Sequence, residues 1–242
     1  MLELVDVDKR FGGFHALDGL SFRVEAGEIL GMIGPNGSGK STAFNVITGT
    51  LRSDGGTVLF DREDITGLPP HRISHAGIAR TFQVVKPFPE LSASENVLVG
   101  RLYGGTGSRR RSASMAEARE VLSWVGLEDK ADTRAGSFTI MERKWLEVGR
   151  ALAARPKLLL LDEFMAGLSP SEIPHAIDLV RSIRDSGVTI VLVEHVIKAI
   201  TGACDRVVVL DAGRKLAEGS VSDIVADPAV IKAYLGSRHA GG

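Results

Sequence analysis

The sequence is poor in the features that place a chain outside the cell or across a bilayer. Cys204 is the single cysteine among 242 residues, so no intrachain disulfide forms, and the composition fits a reducing compartment. No apolar run approaches the length of about 18 residues that a membrane-crossing helix needs. The stretch Met1-Leu-Glu-Leu-Val-Asp-Val-Asp8 is acidic and alternating, without the basic-then-apolar order of a secretion signal. Work at a membrane is therefore expected to pass through a partner. Formal net charge is −1, so no global field recruits nucleic acid, and no nucleic-acid partner is expected. No internal repeat and no long low-complexity segment occurs. With 44% hydrophobic and 24% charged residues, the chain can bury a sizeable core, as one large domain or as one domain with an inserted lobe.

The stretch that organises the rest is Gly34, Pro35, Asn36, Gly37, Ser38, Gly39, Lys40, Ser41 and Thr42. Residues 28–33 before it read as a short buried strand, and Ala43, Phe44, Val46 and Ile47 after it recur at helical spacing. Strand, glycine-rich loop and helix are the context a phosphate-binding loop needs. The glycines let backbone N–H groups turn inward around phosphate oxygens, and the helix N-terminus adds a partial positive charge of about half an elementary unit. Lys40 is then placed to reach β- and γ-phosphates, Ser41 to offer a hydroxyl to Mg²⁺, and Thr42 to hydrogen-bond a phosphate oxygen. ATP and Mg²⁺ are the implied ligands.

Around that loop the chain reads as strands at both ends and helices in the middle. Leu2, Leu4 and Val7, then Phe22 and Val24, alternate on either side of the Gly12-Gly13 turn, predicting two antiparallel strands. Phe11 lies between them, as a base-stacking ring or as a core aromatic. Residues 57–60 form another strand, and Gly49 closes the helix before it. Gln83 ends the run 78–85 beside Pro87 and Pro89, and on position alone is a loop amide. Ser92-Ala-Ser-Glu95 fits a capping box for a helix over 96–103. Residues 104–112, with Arg109, Arg110 and Arg111, read as a flexible basic tip, solvated or in contact with anionic lipid. Ala118, Val121, Leu122 and Val125 predict an amphipathic helix over 115–125, ended by Gly126. Trp145, Val148 and Leu152 predict another, stopped by Pro156.

A second chemically loaded stretch follows. Leu158 to Leu161 is a four-residue apolar strand that delivers Asp162 and Glu163 to a sheet edge. Asp162 there holds Mg²⁺ through water and Glu163 orients or deprotonates an attacking water; the plainer alternative is a pair of acids capping the next helix. Ile173, Ile177, Val180 and Ile183 give a helix whose start wavers between Ser169 and Ser171, because Pro174 belongs in a first turn. Residues 188–193 form a strand ending at Glu194 and His195, whose imidazole is either a γ-phosphate partner or satisfied by loop backbone. Residues 206–210 and 215–217 make a hairpin across 211–213, and 221–235 reads as helix.

Taken together, the motifs resemble the ATP-binding subunit of an ABC transporter along nearly the whole chain. In that family's terms residues 34–41 resemble Walker A, 158–162 Walker B, Glu163 the catalytic glutamate and His195 the switch histidine. Gln83 resembles the glutamine that joins the nucleotide site, including its metal, to the transmembrane partner. Phe11 falls where the family places its adenine-stacking aromatic, and Ala166-Gly-Leu-Ser169 matches the D-loop, with Ser169 in place of a common aspartate. Gly77-Ile-Ala-Arg-Thr-Phe-Gln83, Leu168-Ser-Pro170 and Ala233-Tyr-Leu-Gly236 narrow the likeness to branched-chain amino acid importers, with urea and amide importers sharing much of that wording.

The resemblance implies a fold of the α/β class, a P-loop NTPase of the ABC ATPase type. Its parts are a RecA-like core sheet, an N-terminal antiparallel β subdomain and an inserted helical subdomain. Residues 1–84 and 156–242 would form the core and β subdomain, and 85–155 the helical subdomain. It also implies a cytoplasmic protein, peripheral on the inner face of the cell membrane. The partners would be transmembrane permease subunits, a second ATP-binding subunit and, indirectly, an extracytoplasmic solute-binding protein. The chief departure is the signature stretch. Where the family reads Leu-Ser-Gly-Gly-Gln, this chain has Phe138-Thr-Ile-Met-Glu142. Thr139, Met141 and Glu142 then face the partner's ATP, with Thr139 keeping a hydroxyl while Ile140 and Met141 remove the glycines that permit close backbone approach. Phe164 replaces the usual proline. The rival readings are a soluble ABC-type ATPase without a permease and a regulatory module that senses ATP without turnover.

Overall fold

The computed structural model describes residues 1–81, 87–104 and 111–238. The chain divides into two compact units, one formed by Met1–Pro70 and Met165–Gly242 and the other by His71–Phe164.

In the first unit, β1 (Leu2–Phe11) and β2 (Phe14–Val24) pair antiparallel from Leu2 opposite Val24 to Phe11 opposite Phe14, as their alternation predicts. The inward faces carry Leu2, Leu4, Val7, Leu20, Phe22 and Val24, all buried. Along its other edge β1 pairs antiparallel with β4 (Gly55–Phe60), and β4 pairs with the two-residue β5 (Glu63–Asp64). A second sheet is built on β3 (Ile29–Ile33), which lies parallel between β8 (Thr189–Val193) and β9 (Arg206–Asp211). All of β8 is buried, the signature of a parallel strand covered on both faces. β10 (Arg214–Gly219) returns antiparallel to β9 through Ala212 and Gly213, both at positive φ (46° and 80°), the paired left-handed residues of a tight hairpin turn.

Helix α1 (Lys40–Ile47) follows β3, anchored by buried Ala43, Phe44, Val46 and Ile47 and stopped before Gly49 at φ 69°. Fully burying a side chain of that size is worth about 1.5–3 kcal/mol, so the start of α1 is held from below. Later in the chain come α6 (Glu172–Asp185), α7 (Ile197–Ala203), α8 (Val221–Ala226) and α9 (Pro228–Arg238). Ile173, Ala176, Ile177, Val180 and Ile183 form the buried stripe of α6. Its start settles at Glu172, which puts Pro174 in the first turn. Ser171 is the N-cap residue, but its side chain makes no cap bond; Glu172 instead reaches back to accept the Ser169 N–H at 2.6 Å.

The expected single helix over 221–235 is two helices. Asp227 is extended, its carboxylate accepts the N–H groups of Ala229 (2.7 Å) and Val230 (3.4 Å), and Pro228 takes the first position of α9, where its missing donor costs nothing. The only cysteine packs against the strand that carries the phosphate loop: a Cβ placed on Gly31 of β3 would lie 2.9 Å from Cys204 Sγ.

In the second unit, α2 (Pro70–Ala76) leads into β6 (Ile78–Arg80), which pairs parallel with β7 (Leu158–Asp162). Three helices complete it: α3 (Ala93–Tyr103), α4 (Arg111–Trp124) and α5 (Ile140–Ala153), with short 3-10 turns at Glu128–Lys130 and Ala135–Ser137. The expected capping box is present: Ser92 Oγ accepts the Glu95 N–H at 3.2 Å and Glu95 accepts the Ser92 N–H at 2.9 Å. Gly126, at φ 73°, follows α4 as expected. The start of α4 corrects the sequence reading, since Arg111 and Ser112 belong to its first turn and not to a basic tip. Alanine at 113, 116 and 118 favours extending the helix backward. Arg109, Arg110 and the other residues of 105–110 lie outside the described residues. No helix among the described residues is long and apolar enough to cross a membrane.

Helices α3 and α5 meet at glycine. A Cβ on Gly100 would lie 2.2 Å from the Arg150 carbonyl oxygen, a distance no side-chain carbon tolerates. Gly100→Ala is therefore expected to lower stability by about 1–3 kcal/mol, as overpacking does. A lower urea midpoint with an unchanged slope checks this, and a wild-type midpoint contradicts the close approach.

Candidate functional site

The phosphate loop leaves β3 at Gly34 and enters α1 at Lys40. It is a continuous turn through three glycines in the right-hand half of conformational space: Gly34 at φ 153°, Gly37 at 80° and Gly39 at 106°. Two of them are also required by space. A Cβ on Gly34 would lie 2.1 Å from the Leu210 carbonyl oxygen, and one on Gly39 would lie 2.6 Å from that of Ala16. Asn36 and Gly37 form the exposed crest, Pro35 is half-buried and Ser38 is buried. The loop closes on itself through Ser38 N–H to the Pro35 carbonyl (3.2 Å) and is tied to the β9–β10 turn through Gly213 N–H to the Ser38 carbonyl (3.0 Å).

Lys40 is 6% exposed, and its ammonium donates to the carbonyls of Gly34 (2.8 Å) and Pro35 (2.9 Å), with Ser38 Oγ at 3.4 Å. Ser41 is exposed and Thr42 half-buried beside it. α1 carries no acidic residue in its first turn, so nothing there competes with an anion for the helix N-terminus. The arrangement brings a lysine ammonium, a glycine-rich loop and a helix N-terminus to one place, which is the chemistry of a phosphate cradle.

In the second unit, β7 delivers Asp162 and Glu163 at its end. Asp162 is paired with Arg80 of β6, Nη2 to Oδ2 at 2.7 Å, with side chains 8% (Arg80) and 5% (Asp162) exposed. The Asp162 N–H donates to Thr81 Oγ1 at 3.2 Å. Sequence reasoning quoted Arg80 and Thr81 only as part of a family pattern; their partnership with Asp162 follows from the parallel β6–β7 register, which no local pattern announces. Glu163 is half-buried and held at φ 48°, a left-handed conformation that costs a non-glycine residue about 1–2 kcal/mol. Phe164, in place of proline, stacks on Trp145 of α5 at 5.1 Å, and its carbonyl accepts from Lys144 Nζ at 2.9 Å.

The altered signature opens α5. Thr139 is its N-cap: Thr139 Oγ1 accepts the Glu142 N–H at 3.3 Å and Glu142 accepts the Thr139 N–H at 2.9 Å, a second capping box that the spacing Thr-x-x-Glu contained and the sequence reading missed. Lys130 pairs with the Glu142 carboxylate. Burial pushes that carboxyl up, but Lys130 and Thr139 outweigh it and hold its pKa below the ordinary value. Phe138 is buried, Met141 is half-buried and Ile140 is 72% exposed.

The remaining candidates are more scattered. His195 is exposed at the carboxyl end of β8, next to Glu194, which is buried and accepts the Met165 N–H at 2.6 Å. Phe11 is 49% exposed, with Lys9 Nζ 5.6 Å from its ring centroid, so the core-aromatic reading is excluded. Gln83 lies outside the described residues. Among the described residues no three His, Cys, Asp or Glu side chains cluster as a metal cage. The Ser41 hydroxyl in the first unit and the Asp162 carboxylate in the second are each hard oxygen donors of the kind that Mg²⁺ takes.

Removing Arg80 would leave the buried Asp162 carboxylate without its partner. Arg80→Met is expected to cost about 3–5 kcal/mol of stability, partly recovered in the Arg80→Met/Asp162→Leu double variant. Urea unfolding of the wild type and the two variants checks this; an Arg80→Met protein as stable as the wild type contradicts it.

Comparison with known proteins agrees with this geometry. The ABC transporter family matches residues 17–166, and a family described as branched-chain amino acid ATP-binding cassette transporter matches residues 214–240. The high-affinity branched-chain amino acid transport ATP-binding protein BraF of Pseudomonas aeruginosa is 39% identical over 249 residues, covering 98% of each chain. The protein of the same description called LivG in Escherichia coli is 38% identical over 240 residues, covering 94% of each. Among solved structures, a nucleotide-free ATP-binding cassette from an ABC transporter superposes with a TM-score of 0.89 at 33% identity over 97% of this chain and 98% of that one. A cassette in its ADP conformation gives 0.89 at 34% identity over 98% of each. The dimeric structure of a bacterial ABC transporter cassette gives 0.83 at 25% identity over 91% of this chain and 99% of that one. With a phosphate cradle at the start of α1 and relatives that match almost end to end, the chain belongs to the ABC transporter family, as one of its ATP-binding cassette ATPases.

Proposed function

We propose that this chain powers uptake of branched-chain amino acids, hydrolysing ATP on behalf of a separate transmembrane permease from the cytoplasmic face of the membrane. The observation that carries the ATP half of the reading is the buried Lys40 ammonium turned into its own glycine-rich loop. The cargo half is supported by the names of the relatives and by the match over residues 214–240. Phosphate oxygens of the nucleotide take over Lys40 from the Gly34 and Pro35 carbonyls, exchanging neutral acceptors for charged ones, which form the stronger bonds. Backbone amides of residues 34–42 surround the phosphates, and the exposed ring of Phe11 stacks on the base.

Mg²⁺, bound with the nucleotide, would be held by Ser41 and Asp162, with Gln83 assigned to it by its sequence pattern alone, and would offset charge on the phosphate oxygens. Arg80 keeps the Asp162 carboxylate in one orientation. Glu163 orients the attacking water, and its strained backbone is the kind of cost a fold carries where chemistry fixes a side chain. His195 steadies the transferring phosphoryl group. Residues 85–155 act as the helical subdomain, whose Thr139, Met141 and Glu142 face the nucleotide of a second ATP-binding subunit. Residues 1–84 and 156–242 form the core and β subdomain. A solute-binding protein outside the membrane would supply the cargo through the permease.

The reading is tested by labelled leucine, isoleucine and valine uptake in cells carrying Lys40→Ala, with urea and short amides in parallel. Branched-chain uptake is expected to fall and the other two to persist. Loss of urea or amide uptake instead overturns the cargo, and no loss at all overturns the transport role. In the purified complex Glu163→Gln is expected to slow ATP turnover at least about 10²-fold while nucleotide stays bound, the size of effect expected for a water-positioning group. Wild-type turnover would remove Glu163 from that role.

A further inference from the structure

Helices α3, α4 and α5 of the second unit border a cavity of about 240 Å³ that the nucleotide chemistry does not use. One face of α4 lines it at i, i+3, i+4 and i+7, with Glu117, Glu120, Val121 and Trp124. The buried part of the lining is Arg101 of α3, 3% exposed, with Leu152 and Ala153 of α5. Its exposed part is Glu120, Trp124 and, just past the end of α5, Arg155. A space of about 150 Å³ takes a benzene-sized molecule and drug-sized ligands need about 300 Å³ or more, so this cavity suits a metabolite of about nine or ten heavy atoms.

Packing alone leaves Arg101 unexplained. Its Nε donates to the Glu117 carboxylate, but Nη1, also buried, has no hydrogen-bond partner among the described residues. A guanidinium does not shed its proton to escape that cost, so an acceptor belongs beside it. Arg155 adds a second guanidinium, its Nη2 3.2 Å from Glu117 Oε1. It stands at φ 52°, where glycine would follow the helix without steric cost, so the fold keeps a long cationic side chain there against its backbone preference. The hydrogen bond from Arg101 holds the Glu117 carboxyl below its ordinary pKa, against the effect of burial, so Glu117 is ionised near neutral pH. Glu120, one turn on, brings a second carboxylate. Two guanidiniums and two carboxylates thus meet beside an apolar wall of Val121, Trp124 and Leu152. A plain anion would face the carboxylates and a plain cation the guanidiniums. A molecule with both charges on a short aliphatic body suits all of them.

We propose that this cavity is a binding site for an aliphatic α-amino acid. The ligand's carboxylate accepts from Arg101 Nη1, its ammonium donates to Glu120, and its side chain lies against Val121, Trp124 and Leu152. The zwitterion follows from the cavity's own charges, whereas the choice of leucine as probe rests on the cargo reading above. An ATPase that binds the solute it helps to import carries a direct measure of how much has arrived.

Equilibrium dialysis of labelled leucine against the purified full chain is expected to give one bound molecule per chain, with Kd at or below about 1 mM, an ordinary affinity for a ligand of that size. Isocaproate, which lacks only the amino group, and isoamylamine, which lacks only the carboxylate, each bind at least about 10-fold more weakly, the weight of one charge-assisted hydrogen bond. Glu120→Gln, at an exposed position, weakens leucine by a similar factor and keeps the wild-type unfolding midpoint. Arg101→Met abolishes binding; because it also strips Glu117 of a partner, Glu120→Gln decides the matter if that variant does not fold. A folded wild-type chain that binds no leucine overturns the proposal. So does isocaproate that binds as well as leucine, which leaves only an anion pocket, or a Glu120→Gln protein of wild-type affinity. Uptake separates this site from the cargo reading. If leucine binds here while Lys40→Ala cells still import branched-chain amino acids, the cargo reading falls and the cavity stands; if that uptake is lost and leucine does not bind, the cavity assignment alone falls.

Discussion

A buried ammonium has to be hydrogen-bonded, and much of the first unit is arranged around meeting that demand at Lys40. Taking a charge out of water costs several kcal/mol unless polar partners replace the solvent. The partners here include backbone carbonyls, and they face inward because the chain turns through glycines at positions 34, 37 and 39. Positions 34 and 39 admit only glycine because β9 and β2 bring the Leu210 and Ala16 carbonyl oxygens too close for any side chain. Phe44 and its neighbours, buried beneath α1, keep the lysine from being pushed outward by its own hydration. One charge thus determines the loop, the loop's neighbours and the depth of the helix behind it.

The second unit shows how departures from a family's pattern can be made good by local packing. Losing the signature glycines removes a place where a second backbone could come close, but the same residues build a capping box and an ion pair, so α5 starts at a well-satisfied terminus. Glu142 therefore contributes a carboxylate already neutralised by Lys130 rather than a bare negative charge. Replacing proline by Phe164 gives up a rigid turn and gains an aromatic contact with Trp145. These exchanges favour the integrity of α5 itself, and they change what its N-terminus presents.

The sequence was legible wherever the governing physics is local. Residues 34–42, the β1–β2 alternation, the Ser92–Glu95 box and the apolar stripe of α6 all declare themselves within a few residues, and the structure places them as read. What stayed hidden depends on distant partners. The Arg80–Asp162 pair spans 82 positions and arises from sheet register. Two misses were local and avoidable: the Asp227-Pro228 break before α9, and the Thr139–Glu142 box, which a search for glycines in the signature obscured. Phe11 shows the remaining kind of ambiguity, since exposure separates a stacking ring from a core ring and no motif reports exposure.

The packing of Cys204 against Gly31 has a chemical consequence of its own. Burial, reinforced by the carboxylates of Asp205 and Glu194, pushes the thiol pKa up to about 12, so near neutral pH the sulfur stays protonated. Only the thiolate attacks alkylating reagents or disulfides. The strand beneath the phosphate loop is thus lined by a sulfur that behaves as a small hydrocarbon group. A cysteine introduced anywhere on the surface becomes the single reactive thiol of the molecule, without the native one having to be removed.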